Sequence, residues 1–135
     1  MKITPDLLVA AVGCTRQNAD IFAPHIDASC RAYRIDTPVR LAAYLAQLGH
    51  ESGSFRYTEE LASGEAYEGR ADLGNTHPGD GPLFKGRGLI QTTGRSNYAR
   101  TTEWLHAIGL SSPDFTENPE ALEQPKWAAD RKSVV

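Results

Sequence analysis

Between Gly69 and Gly88 the chain carries six glycines and two prolines in twenty residues, and no hydrophobic period survives that composition. The middle of the chain is therefore a long loop, and whatever regular structure exists must lie on either side of it. Loops of this length in compact domains are usually functional or mobile, and one so rich in glycine lets backbone amides approach a ligand closely.

Upstream, the pattern is helical. Thr4-Pro5-Asp6 supplies an N-cap, a first-turn proline and a first-turn acid, Leu7, Leu8, Ala11 and Val12 form an apolar face, and Gly13 ends the segment. A second helix begins near Thr15 and is expected to break or restart around Pro24, after which Ile26, Cys30 and Tyr33 share a face. The most regular stretch starts at Thr37-Pro38 and places Leu41, Tyr44, Leu45 and Leu48 at spacings of three and four through to His50-Glu51. Small residues between them, Ala42, Ala43, Ala46 and Gly49, suit a buried central helix. Downstream of the loop, Leu89-Ile90-Gln91 reads as a short strand-like piece. A helix follows from about Arg95 to Ile108 with Tyr98, Leu105 and Ile108 inward, closed by Gly109. Asn118-Pro119 starts another short helix, and Pro125-Lys126-Trp127-Ala128-Ala129 the first turn of a last one, which runs into the polar Asp130-Arg131-Lys132-Ser133. The fold class is mainly α, with at most a small β element. There are no internal repeats.

At 135 residues, 40% hydrophobic and 23% charged, the chain is expected to form one globular domain, residues 1–135, around one core. A net charge of -3 without long runs of either sign argues against nucleic acid as a partner. No eighteen apolar residues run together, and Met1-Lys2-Ile3-Thr4-Pro5-Asp6 precedes no apolar signal segment, so no membrane insertion is expected and synthesis in the cytoplasm is, with action after release. Cys14 and Cys30 are expected to be free thiols of the core. His50-Glu51 would suit a zinc protease only with a histidine at 54, where Ser54 stands, so no metal is implied. No organic cofactor is implied either, and a monomer is expected.

Chemistry points to carboxylates. Glu51 closes the central helix, facing the negative end of its dipole after an apolar face, and is expected to be partly buried and to favour its protonated form. Glu59, Glu60 and Glu68 follow on a segment expected to be exposed, where a carboxylate stays ionised. The plainer alternatives pair Glu51 with Arg56 or Arg87 and leave Glu60 a solvated acid. Arg87, between Gly86 and Gly88, has room to turn inward toward a carboxylate or beneath a groove. His50 is either a neighbour orienting the acid or a satisfied core histidine. Tyr57, Tyr67, Phe84 and Tyr98 are candidates for stacking on a ligand, with core packing the commoner fate of such residues.

Several motifs in order carry a resemblance: His50-Glu51-Ser52-Gly53-Ser54-Phe55-Arg56-Tyr57-Thr58-Glu59-Glu60, Tyr67-Glu68-Gly69-Arg70, Asp72-Leu73-Gly74-Asn75-Thr76, Pro78-Gly79-Asp80-Gly81, and Gly86-Arg87-Gly88-Leu89-Ile90-Gln91-Thr92-Thr93-Gly94 with Asn97-Tyr98. Together they resemble family 19 glycoside hydrolases, in particular the bacteriophage endolysin and prophage branch. The resemblance implies a lysozyme-like helical fold and inverting cleavage of a β-1,4-linked amino-sugar polymer, peptidoglycan or chitin, in bacterial wall lysis. It implies Glu51 as general acid, Glu60 as general base with Glu59 and Glu68 as competitors, and Thr93 holding the attacking water. Gln91, Asn97, His50, Tyr98 and Arg87 would bind substrate. Two alternatives stay open: a lytic transglycosylase using one glutamate, and a glycan-binding remnant without catalysis, since the C-terminal helices of the family have no counterpart here.

Overall fold

The computed structural model describes residues 2–129; the polar ending at Asp130-Arg131-Lys132-Ser133 lies outside the described residues. The architecture is mainly helical, as expected of a lysozyme-like domain. Three helices precede the loop region: α1 (Pro5–Val12), α2 (Arg16–Ala32) and α3 (Pro38–Glu51). Each starts on a threonine whose hydroxyl oxygen accepts from a backbone amide of the first turn: Thr4 from Leu7, Thr15 from Asn18 and Thr37 from Arg40, at 3.1 to 3.2 Å. Gly13 ends α1 at φ +76°, in the left-handed region that glycine enters without steric cost.

α2 does not break at Pro24. It runs through the proline for 17 residues, because the residues flanking it in the helix, Phe22, Ala23, Ile26 and Cys30, are buried, while Pro24 itself is exposed. A proline ring on the wet side leaves the carbonyl it orphans within reach of solvent, and burial of the opposite face outweighs the local penalty.

α4 (Asp80–Leu83) is a single turn inside the glycine-rich segment, α5 spans Arg95–Ala107, and α6 spans Pro125–Ala128. Short 3-10 turns occupy Glu65–Tyr67, Ala71–Leu73 and Pro119–Glu123. In α5, Tyr98 and Leu105 face inward as expected, but Ile108 is 39% exposed, just beyond the helix end.

The buried apolar residues fall into two clusters instead of one. The larger joins α1, α2 and α3 with Phe55, Leu89, Ala128 and Ala129, and the smaller joins Phe84, Tyr98, Leu105, Phe115, Leu122 and Trp127. α6 belongs to both, Trp127 on one side and Ala128 on the other. Its neighbour Ala129 accepts, through its carbonyl, from the buried Tyr44 hydroxyl at 3.1 Å, and Ala128 accepts from the amide of Leu89 at 3.0 Å.

The β element is a ladder of three short pieces. Glu59 pairs antiparallel with Arg87, and Arg87 with Thr92. Glu60 N donates to Gly86 O at 2.7 Å and Gly88 N to Thr58 O at 2.8 Å, while Arg87 and Thr92 exchange both bonds at 2.7 and 3.0 Å. Leu89-Ile90-Gln91 is therefore not a strand but the turn between Arg87 and Thr92. The reversal needs left-handed backbone at Gly88 (φ +85°) and at Gln91 (φ +62°), and its fully buried Leu89 plugs the larger cluster.

Candidate functional site

Side chains alternate faces along a strand, and residues directly paired across an antiparallel ladder share one. Glu59, Arg87 and Thr92 are thus on one face. The other carries Glu60, Gly86 and, one residue past Thr92, Thr93, with Gln91 beside it on the same parity. Gly86 stands between Glu60 and Thr93, and the glutamine fills the space it leaves: a Cβ added at Gly86 would meet Gln91 Oε1 at 2.7 Å. The parity divides the candidates expected from the sequence into those that face the site and those that support it.

Arg87 is on the supporting face and is 5% exposed. Its Nε donates to Glu123 Oε2 at 2.7 Å, and its Nη1 donates to the Leu83 carbonyl at 2.5 Å and the Tyr98 hydroxyl at 3.1 Å. It pairs with neither Glu51 nor Glu60. Tyr98 is fully buried, donates its hydroxyl proton to the Lys85 carbonyl at 2.5 Å, stacks edge-on with Phe84 at 5.0 Å, and has its phenol pushed up to about 12 by burial. From there both side chains are buried and hydrogen-bonded within the protein, and they support the ladder from beneath. Phe84 is likewise core.

Thr93 is half-buried, and its hydroxyl donates to the Gln91 carbonyl at 3.1 Å. With its proton committed, the oxygen is left to accept. Gln91 Nε2 donates to the Gly88 carbonyl at 2.8 Å, and Asn97 Nδ2, one turn into α5, donates to the Thr93 carbonyl at 2.8 Å. These three residues form one hydrogen-bonded unit.

The two carboxylates reverse the expected burial. Glu51, the last residue of α3, is exposed, and its Oε1 accepts from Gln47 Nε2 one turn back at 2.9 Å. The face behind Glu51 is apolar only at Leu41, Tyr44, Leu45 and Leu48, which turn to the core and leave the helix end in water. His50 is exposed beside it. Glu60 is the half-buried one: its Oε1 accepts from the Tyr67 hydroxyl at 2.6 Å, and its Oε2 is buried without a hydrogen-bond partner. Among the described residues the other buried side-chain oxygen in that condition is Thr92 Oγ1, on the opposite face of the same ladder. A buried polar atom without a partner costs free energy, and native structures rarely keep one without use.

Glu59 and Glu68, the competitors for the role of base, are engaged elsewhere. Glu59 Oε2 lies 2.9 Å from Lys85 Nζ. Both oxygens of Glu68 accept backbone amides, Oε2 from Gly79 at 2.9 Å and Oε1 from Gly81 at 2.8 Å, so that carboxylate pins the start of α4.

Between Glu51 and the ladder the backbone is strained. Gly53, Ser54 and Phe55 follow one another at φ +60°, +58° and +68°, a left-handed turn that costs non-glycine residues free energy and concentrates at functional sites. Ser52, fully buried, holds it: its hydroxyl donates to the Leu48 carbonyl at 2.6 Å and accepts from Phe55 N at 2.9 Å, while its carbonyl accepts from Arg56 N and Tyr57 N at 3.0 Å. The turn carries the chain from the helix end directly into the ladder, and so fixes Glu51 relative to Glu60. Sequence reasoning missed Ser52, Gln47 and the pairing of Tyr67 with Glu60. Serine signals the start of a helix and not its end, and a tyrosine seven residues from a glutamate across a loop carries no local signal.

No protein-family model matches the chain. It is similar to a glycosyl hydrolase family 19 domain-containing protein of Haemophilus influenzae, at 35% identity over 47% of this chain and 48% of that protein. It is also similar to two endochitinases of Arabidopsis thaliana, each at 42% identity over 56% of this chain and 26% and 25% of those proteins. The chain thus spans about half the length of the bacterial relative and about a quarter of the plant ones. The similarity to a protein named for glycosyl hydrolase family 19 and to two named endochitinases agrees with the resemblance carried by the motifs; it does not single out a phage branch.

Proposed function

We propose that this chain is the acid/base part of a glycoside hydrolase that cleaves β-1,4-linked amino-sugar polymers, peptidoglycan or chitin, with inversion at the anomeric carbon. The observation that carries the reading is Glu60: of the three clustered glutamates that follow α3 and its turn, it alone has an oxygen held under the surface without a partner, on the ladder face it shares with Thr93.

Inversion needs a carboxylic acid to protonate the leaving oxygen and a carboxylate about 6.5 to 9.5 Å away to deprotonate water on the opposite side of the sugar. Glu51, exposed at a rigid helix end, suits the first role, since it meets the glycosidic oxygen from solvent and is steadied by Gln47. Glu60 suits the second. A water lying between Glu60 and Thr93 would meet two acceptors, because the Thr93 proton is already given to Gln91. Its own two protons would point at the Glu60 carboxylate and Thr93 Oγ1, and its lone pair at the sugar carbon. One proton passes to Glu60 as the carbon–oxygen bond forms, and the proton of Glu51 passes to the departing sugar as the old bond breaks. Gln91 and Asn97, in the same hydrogen-bonded unit as Thr93, would bind sugar.

The test is digestion of purified peptidoglycan and of chitin oligomers, with products read by mass spectrometry and anomeric configuration by NMR. Glu51→Gln and Glu60→Gln should each lower turnover by roughly 100- to 10,000-fold while leaving the fold intact. Full activity in both variants, or products ending in an anhydro sugar with Glu60 dispensable, would overturn the inverting mechanism; binding without turnover in the native chain would leave a glycan-binding module.

A further inference from the structure

We infer that Tyr67 is a positioning residue that fixes the orientation of the Glu60 carboxylate, and that Asn75 anchors it. The kinetic half of this inference rests on the glycosidase reading just given; the structural half does not.

Three contacts form one line. The Tyr67 hydroxyl donates to Glu60 Oε1 at 2.6 Å, a short charge-assisted bond of the kind that is both strong and directional. The Tyr67 carbonyl accepts from Asn75 Nδ2 at 2.9 Å. Asn75, 1% exposed, accepts through Oδ1 from the backbone amide of Arg95 at 2.9 Å. Arg95 is the first residue of α5, the helix that carries Asn97 and follows directly on Thr93. Glu60 is therefore tied at its backbone to Gly86 and at its side chain, through the loop, to the start of α5. A carboxylate with one oxygen fastened and the other unpartnered has a single orientation, and the free oxygen is Oε2.

The neighbouring charges do not replace this bond. Glu59 is matched by Lys85, Arg87 by Glu123 on the other face beside Tyr98, and Arg70 by Asp72 at 2.6 Å. The phenol of Tyr67 registers the contact: it is raised above the ordinary tyrosine range, first by its hydrogen bond to Glu60 and then by burial, with Arg70 opposing.

Two measurements decide the inference. The first follows Tyr67 by ¹³C NMR of the labelled ring carbon through alkaline titration, in the native chain and in Glu60→Gln. The titration should be displaced upward in the native chain and move down in the variant; an ordinary titration that Glu60→Gln leaves unmoved would refute the contact without reference to any activity. The second compares kinetics of Tyr67→Phe, which keeps the ring and removes the hydroxyl. A drop in kcat of roughly 10- to 100-fold with KM unchanged is expected of a misaligned base. Unchanged kcat, or a loss confined to KM as for a sugar-stacking ring, would overturn the positioning role. An inactive native chain would instead refute the glycosidase reading, leaving the titration to decide the contact.

Discussion

The segment from Pro5 to Glu51 and the segment from Thr58 to Arg95 are of similar length and are held by opposite means. In the first, the buried side chains are almost all apolar, Leu8, Phe22, Ile26, Leu41, Tyr44, Leu45 and Leu48 among them, and the one buried carboxylate, Asp27, is satisfied by the amide of Ile3 at 2.9 Å and by Arg31 at 2.9 Å. In the second, Asn75, Asp80, Arg87 and Thr92 are buried, and the chain is kept in place by polar groups meeting backbone. Glycines permit the approach: a Cβ at Gly81 would lie 2.6 Å from Glu68 N and 2.7 Å from Gly64 O, both backbone atoms that cannot move aside. The helical part is a platform whose stability comes from area removed from water. The loop part is a polar lattice whose stability depends on each donor finding its acceptor. The candidate site lies where they join, Glu51 on the last turn of the platform and Glu60 on the first rung of the lattice.

If that contrast is right, the two parts should break differently. Leu48, fully buried one turn before Glu51, should give the largest effect: Leu48→Ala is expected to cost about 3 kcal/mol, from lost transfer energy and the cavity left behind. Urea denaturation checks this, and a cost below about 1 kcal/mol would mean the platform is not close-packed. In the lattice the matching target is Asp80, fully buried, whose two oxygens accept from Arg95 Nε and Nη2 at 2.8 Å, one of them also from His77 N at 3.1 Å. Asp80→Asn removes the charge while keeping the shape, and should cost about 2 kcal/mol. The Arg95 guanidinium holds the Asp80 carboxyl below the ordinary carboxylate range. Its stabilisation is thus fully present above an ordinary aspartate pKa of about 4 and lost as pH falls through the lower folded value. The native chain should lose stability on that acid limb more steeply than Asp80→Asn, and parallel acid limbs would show that the pair contributes nothing.

The same contrast explains what the sequence disclosed. Helices α1 and α3 were legible because threonine caps, first-turn prolines and apolar periods are local signals that burial reinforces, and α5 through its apolar period and the closing Gly109. The free core thiols were legible too: Cys14 and Cys30 are both buried and unpaired, and burial pushes the Cys30 thiol up to about 11. The lattice was not, because its order comes from contacts between residues 11 to 20 apart, Glu68 with Gly79 and Gly81, Asp80 and Asn75 with Arg95, that have no period. Motif order named Glu51, Glu60, Thr93, Gln91 and Asn97 as candidates, yet it could not say that Arg87 is turned beneath the ladder. That distinction is a matter of strand parity, and the reading of Leu89-Ile90-Gln91 as strand instead of turn concealed the parity. The burial of the two carboxylates was inverted for a related reason: the apolar period of α3 gives its buried stripe but not where the stripe ends relative to Glu51.

A smaller test sharpens the lattice. Glu68→Gln removes a charge that serves two backbone amides and should cost about 1 kcal/mol, with catalysis otherwise retained if Glu68 is structural and Glu60 the base. A collapse of turnover with unchanged stability would exchange their roles.

The smallest expected effect belongs to the platform, and it has the opposite sign. Pro24 sits in the interior of α2 on its exposed side, where it denies the helix an amide donor and leaves the Asp20 carbonyl without its usual partner. Pro24→Ala restores that donor. The full interior penalty of proline is about 3 kcal/mol, but alanine also frees the unfolded chain, which takes back up to about 1 kcal/mol, and solvent already serves the carbonyl. A net gain of about 1 kcal/mol is expected, read as a higher urea midpoint at unchanged slope. A lower midpoint would mean that the bend the proline imposes is what brings Phe22 and Ile26 onto α1 and α3, and the platform would then owe part of its packing to a backbone constraint as the loop part does.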